Sequence, residues 1–150
     1  MTRFFKSTAI LAVFCAAPAL ADGIKISDAY ARANGPSAKA GAAFMVITNS
    51  GAIDDRLIGA ETEIARKAEL HSHEIDANGV ARMRQIEGGM VIPAAGSHRL
   101  MRGGDHVMMM GLTAPMADGA TISLTLIFEH AGAISIEVPV DLKRMPKMAH

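Results

Sequence analysis

The chain has 150 residues, 15 basic and 15 acidic side chains, and a formal net charge of zero. No basic run is present, which excludes the electrostatic footprint of a nucleic-acid binder. The single cysteine, Cys15, lies in an apolar N-terminal stretch, so the remaining chain offers neither disulfide nor thiolate, and soft-metal chemistry there must rest on methionine and histidine.

Arg3 and Lys6 make a positive start, and an apolar run from Ser7 reaches Leu20. Ala19-Leu20-Ala21 supplies small residues at the positions a signal peptidase reads. Residues 1–21 are therefore expected to be a cleaved signal peptide, with Asp22 first in the mature chain. The run is too short for a lasting membrane span. Val13-Phe14 departs from the small residues that usually precede a lipidated cysteine, so cleavage and release are favoured over an anchor at Cys15. Without Arg3 and Lys6, 13 basic residues face 15 acidic ones, a formal charge of −2. Residues 22–142 are expected to be one domain, long enough for a hydrophobic core. Residues 143–150, with Met145, Met148 and His150, are expected to be a mobile tail.

The pattern that follows is one of many short strands. Residues 24–32 alternate around Tyr30, and 42–49 form an apolar run ending in Asn-Ser-Gly. Asp54-Asp55 leads into 56–59. Residues 62–67 are the best helical candidate, or else a loop. Residues 68–74 read as a strand that turns at Asn78-Gly79, where a two-residue turn would pair Ala77 with Val80 and place Met83 opposite Glu74. The returning strand is 80–86. Met90-Val91-Ile92 is a short apolar piece, and 98–102 precede Gly103-Gly104. Residues 120–129 and 134–140 alternate with period two. Short strands with glycine turns predict an all-β sandwich or barrel.

The chemistry concentrates on two of these strands. Glu69, His71 and His73 share one face, with Met83 on the partner strand. Farther on, His106 and Met108 stand two apart after the double glycine, so in an extended chain 106, 108 and 110 face one way while 107 and 109 face the other. Met109 is expected in the core. Met110 is either a third sulfur or the edge of the core. His98 and His130 are expected at the surface, and His73 is an accessory candidate. Imidazole plus thioether without thiolate suits Cu(I) better than zinc, which takes thiolate, imidazole or carboxylate, or calcium and magnesium, which need oxygens.

These residues stand in words that resemble the periplasmic copper chaperones called PCu(A)C proteins. The words are Asp28-Ala29-Tyr30-Ala31-Arg32, Glu69-Leu70-His71, Met83-Arg84, Ile92-Pro93-Ala94, Gly103-Gly104-x-His106-x-Met108, Met110-Gly111-Leu112 and Leu126-Ile127-Phe128-Glu129. The resemblance covers almost all of residues 24–140. It implies a cupredoxin-like Greek-key β-sandwich and a Cu(I) site formed by His71, Met83, His106 and Met108. It also implies delivery of copper in the periplasm to the dinuclear copper centre of cytochrome oxidase, with Sco-type thiol proteins as fellow workers. It implies no catalysis. The competing readings are a copper-free structural or adhesion module and a copper storage or resistance protein. A blue-copper electron carrier is excluded by the missing thiolate.

Overall fold

Alternation of buried and exposed side chains organises the chain into ten β-strands. The computed structural model describes residues 23–146, so the expected signal peptide, Cys15, Asp22 and the tail residues Met148 and His150 lie outside it. The strands are β1 (Ile24–Ala33), β2 (Ala40–Asn49), β3 (Asp55–Glu61), β4 (Ala65–Ile75), β5 (Ala81–Gln85), β6 (Met90–Ile92), β7 (Gly96–Leu100), β8 (His106–Leu112), β9 (Thr121–Phe128) and β10 (Gly132–Pro139). Among the described residues there is no helix. The helical candidate at 62–67 is a turn followed by the first residues of β4. A six-residue segment cannot repay helix nucleation, and Ala65 already pairs with Leu112 of β8.

The strands form two sheets. The larger runs β1-β2-β8-β4-β5, with β7 also pairing β2, and the smaller runs β10-β9-β3-β6. All ladders between named strands are antiparallel, and the all-β sandwich expected from the sequence is what forms. Ile122, Leu124, Leu126 and Phe128 of β9 all point inward, as the period-two pattern requires. They meet Met45 and Ile47 of β2 and Val107 and Met109 of β8 in one core cluster. The opposite face of β8 carries His106, Met108 and Met110 and looks away from that core.

The hairpin between β4 and β5 differs from the two-residue turn expected at Asn78-Gly79. Ile75 pairs with Ala81 and His73 with Met83, leaving residues 76–80 as the loop. The reason is Asp76. Its Oδ1 accepts the backbone N–H of Asn78 at 2.9 Å and of Val80 at 3.0 Å, and its Oδ2 accepts Arg82 Nε–H at 2.9 Å. This side-chain cap stabilises the wider loop. Moving the register by one residue transfers Met83 from the face of Glu74 to the face of His71 and His73.

Asp55 anchors the other end of the sandwich. Its carboxylate accepts backbone N–H groups from Arg56, His130 and Ala131 at 2.7–3.0 Å. Burial alone would push this carboxyl up, but the three donors outweigh it and its pKa lies below the ordinary 3.8. The folded state then holds its proton more weakly than the unfolded chain. The stability this group contributes is complete above the unfolded pKa and is lost as pH falls through the folded one. Asp55→Ala is expected to cost about 2–4 kcal/mol by leaving buried donors unpaired. Urea unfolding from pH 7 to pH 2 checks both the cost and its acid dependence.

Candidate metal centre

The outer face of the larger sheet gathers the soft donors. Antiparallel pairing puts His71 of β4 directly opposite His106 of β8, and Glu69 opposite Met108. On the other edge of β4, His73 lies opposite Met83 of β5. The rings of His71 and His106 are 6.0 Å apart between centroids. Two imidazoles and two thioethers from three strands therefore share one patch, together with His73. On the far side of β8, Ala42 and Ala40 of β2 face Met108 and Met110. These small side chains leave a cavity of about 410 Å³, lined by His106, Met108, His73 and Met83 among others.

His71 and His106 each have one ring nitrogen committed and one free. His106 is 4% exposed, and its Nδ1 lies 3.0 Å from the Gly104 carbonyl. A carbonyl can only accept, so Nδ1–H donates and Nε2 keeps its lone pair. Gly103 makes this possible, because its φ of 81° turns the chain so that the next carbonyl points back at the ring. The same Gly104 carbonyl accepts the backbone N–H of His73 at 3.2 Å, tying the loop to β4. Burial draws the His106 pKa below the ordinary 6.5, against the opposing pull of the Gly104 carbonyl, and the neighbouring His71 and His73 add to the lowering. The ring is thus neutral, with a lone pair ready at neutral pH.

His71 is oriented from the side. Its Nε2 lies 2.9 Å from Glu69 Oε2, while its Nδ1 is buried with no hydrogen-bond partner. Lys67 pairs with the other oxygen of the Glu69 carboxyl. Hydrogen bonds from Lys67 and then from His71 hold that carboxyl below its ordinary 4.5. An ionised Glu69 accepts from Nε2–H and leaves Nδ1 with the lone pair. A carboxylate on one ring nitrogen and nothing on the other is the usual arrangement behind a metal-ligating histidine. The orphaned Nδ1 also meets a plain test of fit, since a buried acceptor without a partner is costly unless something binds it.

The turn expected from sequence puts Met83 on the face of Glu74, whereas the observed register puts it opposite His73, on the face that also carries His71, His106 and Met108. Two further details differ. His73, an accessory candidate by sequence, lines the cavity beside Met83, whereas His71 is not among its lining residues. His98 is held at 2.9 Å by Asp105 and steadies the segment leading into His106, so it is not a free surface residue. His130 is about half exposed. Met109 is fully buried and Met110 lies on the outer face without lining the cavity. Sequence reasoning passed over Glu69 as an orienting group, although its i, i+2 spacing from His71 was visible. It also passed over Phe44, whose ring stands 6.1 Å from that of His106 and 5.1 Å from that of Tyr30. Among the described residues no three His, Cys, Asp or Glu side chains gather for a metal, so a metal held on this patch draws on methionine sulfur.

Comparison with known proteins agrees with this architecture. Residues 24–140 match the family described as "LpqE-like: Putative lipoprotein LpqE-like". "Putative lipoprotein Lxx21020" of Leifsonia xyli subsp. xyli is 36% identical over 120 residues, covering 80% of this chain and 70% of that protein. A copper-bound PCuAC domain from PmoF2 superimposes with a TM-score of 0.67 at 25% identity, over 80% of this chain and 93% of that one. The solution structure of CuI-DR1885 from Deinococcus radiodurans gives 0.59 at 32% identity, over 79% of each chain. These relatives are described as lipoproteins and copper-bound domains and not as enzymes. The chain belongs to the LpqE-like family, on the cupredoxin-like β-sandwich of PCuAC domains.

Proposed function

We propose that this protein is a copper metallochaperone of the cell envelope that carries Cu(I) on His71, Met83, His106 and Met108. The observation that carries the reading is the patch of two imidazoles with free lone pairs beside two thioethers. Neutral sulfur and nitrogen donors favour Cu(I) over harder ions. Met83 is 49% exposed, so a recipient's ligands can enter from solvent while the donor's leave. The copper-bound relatives support the same reading. The recipient we infer is the dinuclear copper centre of cytochrome oxidase, with Sco-type thiol proteins acting alongside. A competition titration against a Cu(I) chelator under reducing conditions tests it. Retention of Cu(I) is expected, and its absence would leave a copper-free structural module.

The position of Met83 depends on the hairpin, so Asp76→Ala is expected to weaken Cu(I) by about ten-fold, the low end for a group that only orients a ligand. The same titration reads this, and circular dichroism checks that the sheets persist.

Export to the periplasm is part of the proposal, with residues 1–21 as a cleaved signal and the tail from 143 as an extension beyond the domain. Lys143 pairs with Asp118 at 3.0 Å, and Arg144 lies over the Tyr30 ring, so the described start of that tail is held to the sandwich. The lipoprotein names of the relatives raise Cys15 as a rival processing point. Mass spectrometry of the exported protein is expected to give a chain starting at Asp22. A lipidated chain starting at Cys15 would move the protein onto the membrane surface.

A further inference from the structure

The cavity beside the donor patch is unusual in its charge. Arg32 of β1 and Arg102 of the loop between β7 and β8 both line it, and no Asp or Glu does. Four arginines of the described chain are half-buried, namely Arg32, Arg56, Arg102 and Arg144. Arg56 pairs with Glu129 at 3.6 Å, and Arg144 pairs with Asp28 at 2.6 Å. Among the described residues, Arg32 and Arg102 have no ion-pair or side-chain hydrogen-bond partner, unlike Arg56 and Arg144. Arg66 and Arg99 also lack one, but they are exposed to solvent. Withdrawing a guanidinium partly from water without a counter-charge is unfavourable, and here it happens twice in one cavity.

The metal chemistry sharpens the imbalance. Imidazole and thioether donors are neutral, so a Cu(I) ion held by them keeps its full positive charge next to two guanidiniums. Glu69 is already engaged by Lys67 and His71 and is not among the residues that line the cavity. We propose that the cavity is a carboxylate-binding subsite, in which Arg32 and Arg102 hold an anionic ligand against the imidazole and thioether face. The planar forks of the two arginines suit carboxylate geometry. The volume, about 410 Å³, fits a small polycarboxylate or a pair of acidic side chains. The bound carboxylate would accompany copper as it arrives or leaves. That last role rests on the copper reading, but the subsite itself is testable without metal.

Isothermal titration of the metal-free protein with citrate and with a short oligoglutamate peptide is the test, on wild type, Arg32→Gln and Arg102→Gln. At least one probe is expected to bind wild type, and each substitution should weaken it about ten-fold or more. Citrate binding identifies a free low-mass carboxylate as the ligand, and binding of the peptide alone identifies acidic side chains of a partner. Thermal melts show that the variants are folded, and Arg32→Lys and Arg102→Lys should recover part of the affinity. If neither probe binds, or binding survives both Gln substitutions, the subsite does not exist. A parallel Cu(I) titration of wild type fails separately if the copper reading is wrong.

Discussion

Met109→Ala is expected to destabilise the fold by about 2–5 kcal/mol, the cost of emptying a buried methionine site, while leaving Cu(I) affinity within a few-fold of wild type. Met108→Ala is expected to do the reverse. The two residues are neighbours in one strand and alike in chemistry, so the contrast isolates direction. Met109 is fully buried, between Gly41 of β2 and Ala68 of β4. Met108 faces the cavity from the opposite side of the sheet. Losing its sulfur should weaken Cu(I) by more than the roughly 10–100-fold that loss of an outer partner costs. Cu(II), which prefers nitrogen and oxygen, should be affected less. Paired thermal melts and chelator competitions read both quantities. If Met109→Ala lost copper while Met108→Ala kept it, the site would have to be rebuilt on the inner face.

The second large effect separates two histidines on one face of β4. His71→Ala is expected to abolish tight Cu(I) binding, and His73→Ala to weaken it by less than about ten-fold, as befits a neighbour outside the ligand set. The distinction rests on the hydrogen bonds. His71 has Glu69 on Nε2 and a buried, unpartnered Nδ1. Among the described residues the His73 ring has no such orienting group, although it lines the cavity. Glu69→Gln should cost about 10–100-fold in Cu(I) affinity, because an amide, which can donate as well as accept, does not fix the His71 tautomer as a carboxylate does. The observation against this assignment would be His73→Ala losing copper while His71→Ala retained it.

Much of this was legible in the chain. The alternation in residues 121–128 fixes a strand with one buried face, because period two has no other stable reading over eight residues. The His106-x-Met108 spacing likewise puts both donors on the face opposite Met109 once the segment is extended. The hairpin register was not legible. Asn78-Gly79 is a strong signal for a two-residue turn, but Asp76 competes by capping the backbone N–H groups of Asn78 and Val80, and a one-residue slip reverses the face of Met83. The cavity was also hidden. It exists because Ala40 and Ala42 of β2 lie beside β8, and that adjacency joins segments more than 60 residues apart, with no local pattern to announce it. For the same reason Arg32 and Arg102 read as ordinary surface charges until the fold places them together.

We propose that two imidazoles and two thioethers on one sheet face carry Cu(I). Metal stoichiometry of the purified protein, loaded under reducing conditions with zinc in excess, decides it. A single Cu(I) per chain with no bound zinc is the result this account requires. Zinc displacing copper, or a chain that retains neither metal, would contradict it.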